Sequence, residues 1–222
     1  MILTNRLFVR EAPSREAKSI YIFCEGVKRE YQYFNYFKEM DSRINVEVYQ
    51  LHPHEDNSPL GLLSIAKKCI IQSEDNPEPK YSFLENDEVW IVIDSDEDKK
   101  LSRKPQINKI KEFCEQKSGW FVAQSNPCFE VWLYYHLSSQ KPVLKDSNNC
   151  SVWKRAVNGM IAGGFDSRKH PLYIKTAMTN AQNNFNTDDG FPTVGSTEVF
   201  MLSKSILPLL ELKINAVLKT LE

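Results

Sequence analysis

Two acidic signatures follow strongly apolar runs in this chain: Cys24-Glu25-Gly26 after SIYIFC, and Asp94-Ser95-Asp96-Glu97 after EVWIVID. Each run reads as a β-strand, so the acids stand where two strands end. In an open α/β sheet ligands gather at the carboxyl ends of the strands, and acids delivered there can converge on one cation. Alternation along an extended segment points Asp94 and Asp96 to one side, where two carboxylates repel unless a cation or a proton neutralises them. An oxygen-only donor set suits Mg²⁺ or Mn²⁺, with Glu25, Asp94, Asp96 and Glu97 as candidate ligands. The chemistry implied is divalent-metal phosphoryl transfer. On position alone, Glu25 reads equally well as a solvated loop acid, and DSDEDKK also resembles an ordinary acidic turn.

A third element, Ser125-Asn126-Pro127-Cys128-Phe129-Glu130, follows another apolar run. Ser125 or Asn126 can cap a helix that Pro127 begins, with Glu130 in the first turn, again on the strand-end side of the sheet. Asn126 and Glu130 are therefore candidates for an additional site, although Glu130 also suits a helix dipole. Lys28, Arg29, Lys99, Lys100, Arg103 and Lys104 follow the two acidic signatures and are candidate phosphate contacts; each alone also reads as a solvated charge. His136 reads as a helix-terminal cation. Tyr31 and Tyr33 fall at helical spacing with Phe34 and Phe37, a pattern of core residues rather than nucleophiles. Neither GxxxxGK[ST] nor GxGxxG occurs, which argues against nucleotide hydrolysis of the familiar type.

The elements that must position these residues alternate. Strands are expected at 19–24, 45–51, 88–94 and 119–123, and helices at 28–40, 60–72 and 105–117. Such alternation predicts an α/β fold with a mostly parallel sheet flanked by helices and right-handed crossovers. After a polar leader at 1–18, the α/β core is expected over 19–138. A helical C-terminal subdomain at 139–222 would carry helices at 151–161, 171–183 and 196–218, with no strand.

The 222 residues carry 28 Lys and Arg against 29 Asp and Glu, so no global basic field advertises nucleic acid and any such binding needs a local patch. The five cysteines are scattered singly, without metal-finger spacing, as expected of buried thiols in a reducing compartment. No apolar stretch reaches the length of a membrane span. A soluble, cytoplasmic protein without membrane contact is expected.

With these motifs the chain resembles the RloB-like proteins, a group related to the abortive-infection protein AbiLii. The resemblance runs through CEGVKREYQYF at 24–34, VWIVIDSDED at 89–98 and SNPCFEVWLYYH at 125–136, with weaker support from FPTVGSTEVFMLSKSIL at 191–207. It implies a Toprim-type core, in which a glutamate after the first strand and a DxD pair after a later strand gather Mg²⁺. Those positions correspond to Glu25, Asp94 and Asp96. Relatives often carry Thr-Glu after the EGxK motif. This chain has Arg29-Glu30, which retains Glu30 as a second acid and loses the hydroxyl. The resemblance further implies a nuclease of DNA or RNA acting in anti-phage defence, paired with an ATPase encoded nearby. A homo-oligomer is compatible with it. The near-neutral charge keeps a second expectation open, a non-catalytic Toprim-like adaptor or regulatory partner of a defence ATPase.

Overall fold

The apolar runs form adjacent strands of one sheet. The computed structural model describes residues 7–95 and 100–221, with the side chain of Lys100 outside that description. Strands β1 (Lys18–Cys24), β2 (Ile44–Tyr49), β3 (Glu88–Asp94) and β4 (Trp120–Asn126) are all parallel. A pair of two-residue strands, β5 (Thr187–Asp188) and β6 (Phe191–Pro192), makes a separate antiparallel hairpin. Strand β7 (Ser196–Thr197) adds antiparallel to β4, giving the order β2-β1-β3-β4-β7.

Period-two alternation divides the strand side chains between two faces. Ile20, Ile22 and Cys24 enter one cluster with Val46, Trp90, Val92 and Ala123. Tyr21 and Phe23 enter the other with Val89, Ile91, Ile93 and Trp120. On the second face lie α2 (Pro59–Ile70) and α3 (Lys100–Gln116), through Leu62, Ala66, Ile107 and Ile110. On the first lie α1 (Arg29–Asn35), α4 (Glu130–Tyr135), α5 (Cys150–Met160), α6 (Ile174–Asn183) and α7 (Val199–Lys219). The helices beyond residue 138 thus share a continuous apolar cluster with the sheet. With both faces covered, the continuous apolar runs of β1 and β3 have a physical reason.

Several boundaries differ from expectation. The first helix stops at Asn35, and turns occupy the rest of the expected span. Helix α3 begins at Lys100 with Pro105 inside it. Strand β4 continues to Asn126, the Asn126-Pro127 bond is cis, and α4 starts at Glu130 without a side-chain cap, so Pro127 does not open the helix. The C-terminal part was expected to lack strands and contributes three, each two residues long. Asp189 and Gly190 both have positive φ between β5 and β6, as an Asp-Gly hairpin turn requires.

His136 also departs from the helix-terminal cation expected. It is buried, its Nδ1–H donates to the Trp132 carbonyl at 3.0 Å, and its Nε2 accepts from the Tyr33 hydroxyl at 3.0 Å. Burial drives its pKa down to about 3, so the ring is neutral. Around it the rings of Tyr33, Trp132 and Phe165 pack edge-on. Tyr33 itself is wholly buried, which removes it as a nucleophile. Tyr33→Phe should orphan the His136 acceptor and cost about 1–3 kcal/mol in urea unfolding; an unchanged midpoint would show that the hydrogen bond does not contribute.

Candidate functional site

Strands β1, β3 and β4 are neighbours, and their carboxyl ends carry the three sequence signatures. Beyond the end of β1, the Glu25 amide still donates to the Val92 carbonyl at 3.1 Å, so Glu25 is fixed by the sheet rather than by a loop. Asp94 stands level with Ser125, and the Ser95 amide donates to the Ser125 carbonyl at 2.8 Å. Parallel pairing therefore aligns Glu25, Asp94 and Asn126 along one sheet edge.

Glu30 joins them from the first turn of α1. Its carboxylate lies against Gly26, where an added Cβ would overlap it, so the glycine makes room for the acid. Glu30 is only 7 % exposed. Burial, followed by the charges of Glu130 and Glu25, raises its pKa to about 7. Asp94 is likewise pushed well above the usual carboxylate range, first by desolvation and then by Glu30 and Glu25, with Cys150 and Glu130 contributing. Glu130, buried at the start of α4, completes a group of four carboxyls.

Cationic compensation comes from two sides. Arg103 on α3 grips Glu25 with both terminal nitrogens, Nη1 to Oε1 at 3.0 Å and Nη2 to Oε2. The Asp94 amide also donates to Glu25 Oε2, at 3.3 Å. Arg103 is 6 % exposed, so this pair is desolvated and its two-pronged geometry matters. Lys154 on α5 lies near Glu130, whose charge raises the lysine pKa.

Among the predicted phosphate contacts, Lys28 and Arg29 stand at the start of α1, Lys28 exposed and Arg29 partly buried. Lys104 pairs instead with Asp189 at 2.6 Å, and Arg103 faces Glu25 rather than solvent. Asp96, Glu97 and Lys99 lie outside the described residues, as does the side chain of Lys100. Asn126 is buried, with its Nδ2 donating to the Pro192 carbonyl at 2.7 Å and its own carbonyl accepting from Gly195.

Sequence reasoning missed Arg103 as the partner of Glu25, 78 positions away. It also missed Lys154 and the thiols of Cys24, Cys128 and Cys150. The Cys128 thiol is raised by its hydrogen bond to Cys150 and by burial, and Cys24 by burial and the charges of Glu30 and Asp94. Both thiols are pushed toward their protonated form, and the carboxyl groups beside them offer oxygen donors for a cation. On chemistry this set fits a hard divalent ion such as Mg²⁺ or Mn²⁺. Among the described residues, no three His, Cys, Asp or Glu side chains stand in metal-holding geometry, and Glu25 is already engaged by Arg103.

The raised pKa of Glu30 has a thermodynamic sign. The unfolded carboxyl titrates near 4.5 and the folded one near 7, so the folded chain holds an extra proton between those values. Stability present below about pH 4.5 is lost as pH rises through about pH 7. Glu30→Gln should abolish that loss. Its Tm should match the parent protein in acid and exceed it above about pH 7, by about 2–4 °C for each kcal/mol in a chain of this size. Parallel pH profiles for the two proteins would refute the buried, proton-holding carboxyl.

A family profile described as RloB-like protein matches residues 20–206, a span that takes in all three signatures. No curated protein and no solved structure matches the chain. No helix among the described residues is long and apolar enough to cross a membrane. Since the match covers most of the sequence, this chain belongs to the RloB-like protein family.

Proposed function

We propose that this RloB-like protein is a Toprim-type, metal-dependent nuclease that hydrolyses phosphodiester bonds of DNA or RNA in anti-phage defence. The observation that carries the reading is the gathering of Glu25, Glu30, Asp94 and Glu130 at the ends of three adjacent parallel strands, with Asp94 and Glu30 both raised in pKa. A stabilising core has no use for four carboxyls gathered in one place, two buried and two half-buried, whereas a site for a cation and a phosphate does.

Asp94, Asp96 and Glu97 are the proposed holders of Mg²⁺ or Mn²⁺, together with Glu25 once Arg103 releases it. Bound there, the ion would offset charge developing on the phosphate and ease deprotonation of a water. Glu30, with its affinity for a proton near neutrality, serves proton transfer. Arg103, released from Glu25, presents two parallel N–H donors that match a phosphate as well as a carboxylate. Lys28, Arg29, Lys99 and Lys100 would hold the substrate backbone. A partner ATPase would supply the trigger; neither GxxxxGK[ST] nor GxGxxG occurs in this chain.

The grip of Arg103 on Glu25 also favours a second reading, a non-catalytic adaptor of a defence ATPase in which the arginine has replaced the ion. Two measurements separate them. In Mn²⁺, the parent protein should cut labelled DNA or RNA, with its partner ATPase if required. Asp94→Asn and Glu25→Gln should each lose at least about a hundredfold in rate, a typical cost of removing a charge-stabilising group. Cutting by both variants at the parent rate would sink the nuclease, and no cutting by the parent under any metal would favour the adaptor. In calorimetry, Arg103→Ala should bind Mn²⁺ more tightly, by about tenfold, because a competing cation has gone. Unchanged or weaker binding would mean that arginine and metal do not compete for Glu25.

A further inference from the structure

The segment Phe191-Pro192-Thr193-Val194-Gly195-Ser196-Thr197 takes no part in the carboxyl group, yet it is fastened to the strand ends that carry it. Strand β7 pairs with Ser125 and Asn126, the Ser125 and Thr197 hydroxyls share a hydrogen bond at 2.7 Å, and Tyr135 Oη donates to the Gly195 carbonyl at 2.8 Å. This fastening stands the β5-β6 hairpin opposite α3 and leaves a cavity of about 350 Å³ between them. Phe191, Ile107 and Val194 give it apolar walls, and Ser95, Lys104 and the hairpin acids Asp188 and Asp189 give it polar ones, Lys104 being paired with Asp189 at 2.6 Å. Ser95 directly follows Asp94, and Lys104 directly follows Arg103, so two elements of the candidate site also contribute to the cavity wall.

Its chemistry suits a flat heteroaromatic ring with hydrogen-bonding edges. Phe191 is partly exposed, and the Nζ atoms of Lys104 and Lys111 lie 4.8 and 4.3 Å from its ring centre. The ring offers a face to a base, while Lys104 is held by Asp189 and Lys111 donates to the Gly190 carbonyl, so an adjoining phosphate would compete with those partners for the two ammonium groups. The Ser95 hydroxyl is enclosed in the cavity wall and has no partner among the described residues.

We propose that this cavity receives one unpaired nucleobase of the substrate strand, stacked on Phe191, next to the phosphate held at the carboxyl site. The inference rests on the nucleic-acid reading above and narrows it. A base inside a duplex is stacked on its neighbours and cannot enter a pocket, so the preferred substrate is single-stranded or looped.

The test is fluorescence anisotropy in EDTA, with the full chain and short labelled single strands of DNA and of RNA, and with the corresponding duplexes. Without metal, binding is read apart from cutting. Phe191→Ala should weaken single-strand binding roughly tenfold, and Phe191→Tyr should retain it. Val194→Trp, which fills the cavity without removing packing, should weaken it comparably. Duplex binding should be weaker than single-strand binding and indifferent to all three. Single-strand affinity unchanged in Val194→Trp, or in a folded Phe191→Ala, would overturn the proposal, as would a preference for duplex. Phe191-dependent binding without cutting under any metal would uphold the cavity and remove the nuclease. Metal-dependent cutting with binding indifferent to these variants would do the reverse.

Discussion

Carboxylates brought out of water next to one another are tolerated only where a proton or a cation offsets their charge. This chain builds such a place by running three parallel strands side by side, with Glu25 and Asp94 at the ends of two and Glu130 on the helix that follows the third. Much of the surrounding structure answers that charge. Arg103 grips Glu25 from one flank, Lys154 approaches Glu130 from another, and Asp94 and Glu30 lean toward their protonated forms. The sheet makes the cluster rigid, because Glu25 and Asp94 are placed by backbone pairing and cannot retreat from each other without breaking a ladder.

How the acids come together was readable from residue order because it depends on local rules. EVWIVID is apolar on both faces, so it had to be a covered parallel strand, and its end is marked by the first acid. Glu130 was placed on the correct side of the sheet for an inexact reason. The chain stays extended through Asn126, and α4 begins three residues later than Pro127 suggests. Proline commonly opens a helix, whereas here it lies between the end of the strand and the start of the helix.

What escaped the sequence is what depends on distant partners. Arg103 looked like one of several loop cations until folding set it against Glu25. His136 reads as a helix-terminal cation because its neighbours in sequence do not reveal the Tyr33 hydroxyl that satisfies it, 103 positions away. The two-residue strands of the C-terminal part are too short to carry an alternation signal, although Asp189-Gly190 marks their turn. Asp96 and Glu97, read as ligands from their spacing, remain readings of spacing alone.

Gly26 extends the influence of the site to a residue without a side chain. Because the Glu30 carboxylate fills the space where a Cβ would project, the two positions are not independent in what they can accept. Any larger residue at 26 evicts the acid as surely as a change at 30 would, and a shorter acid at 30 would vacate the space that now excludes a methyl. Variation at this turn is therefore expected to be paired, with the permitted sequences set by shared volume as much as by charge.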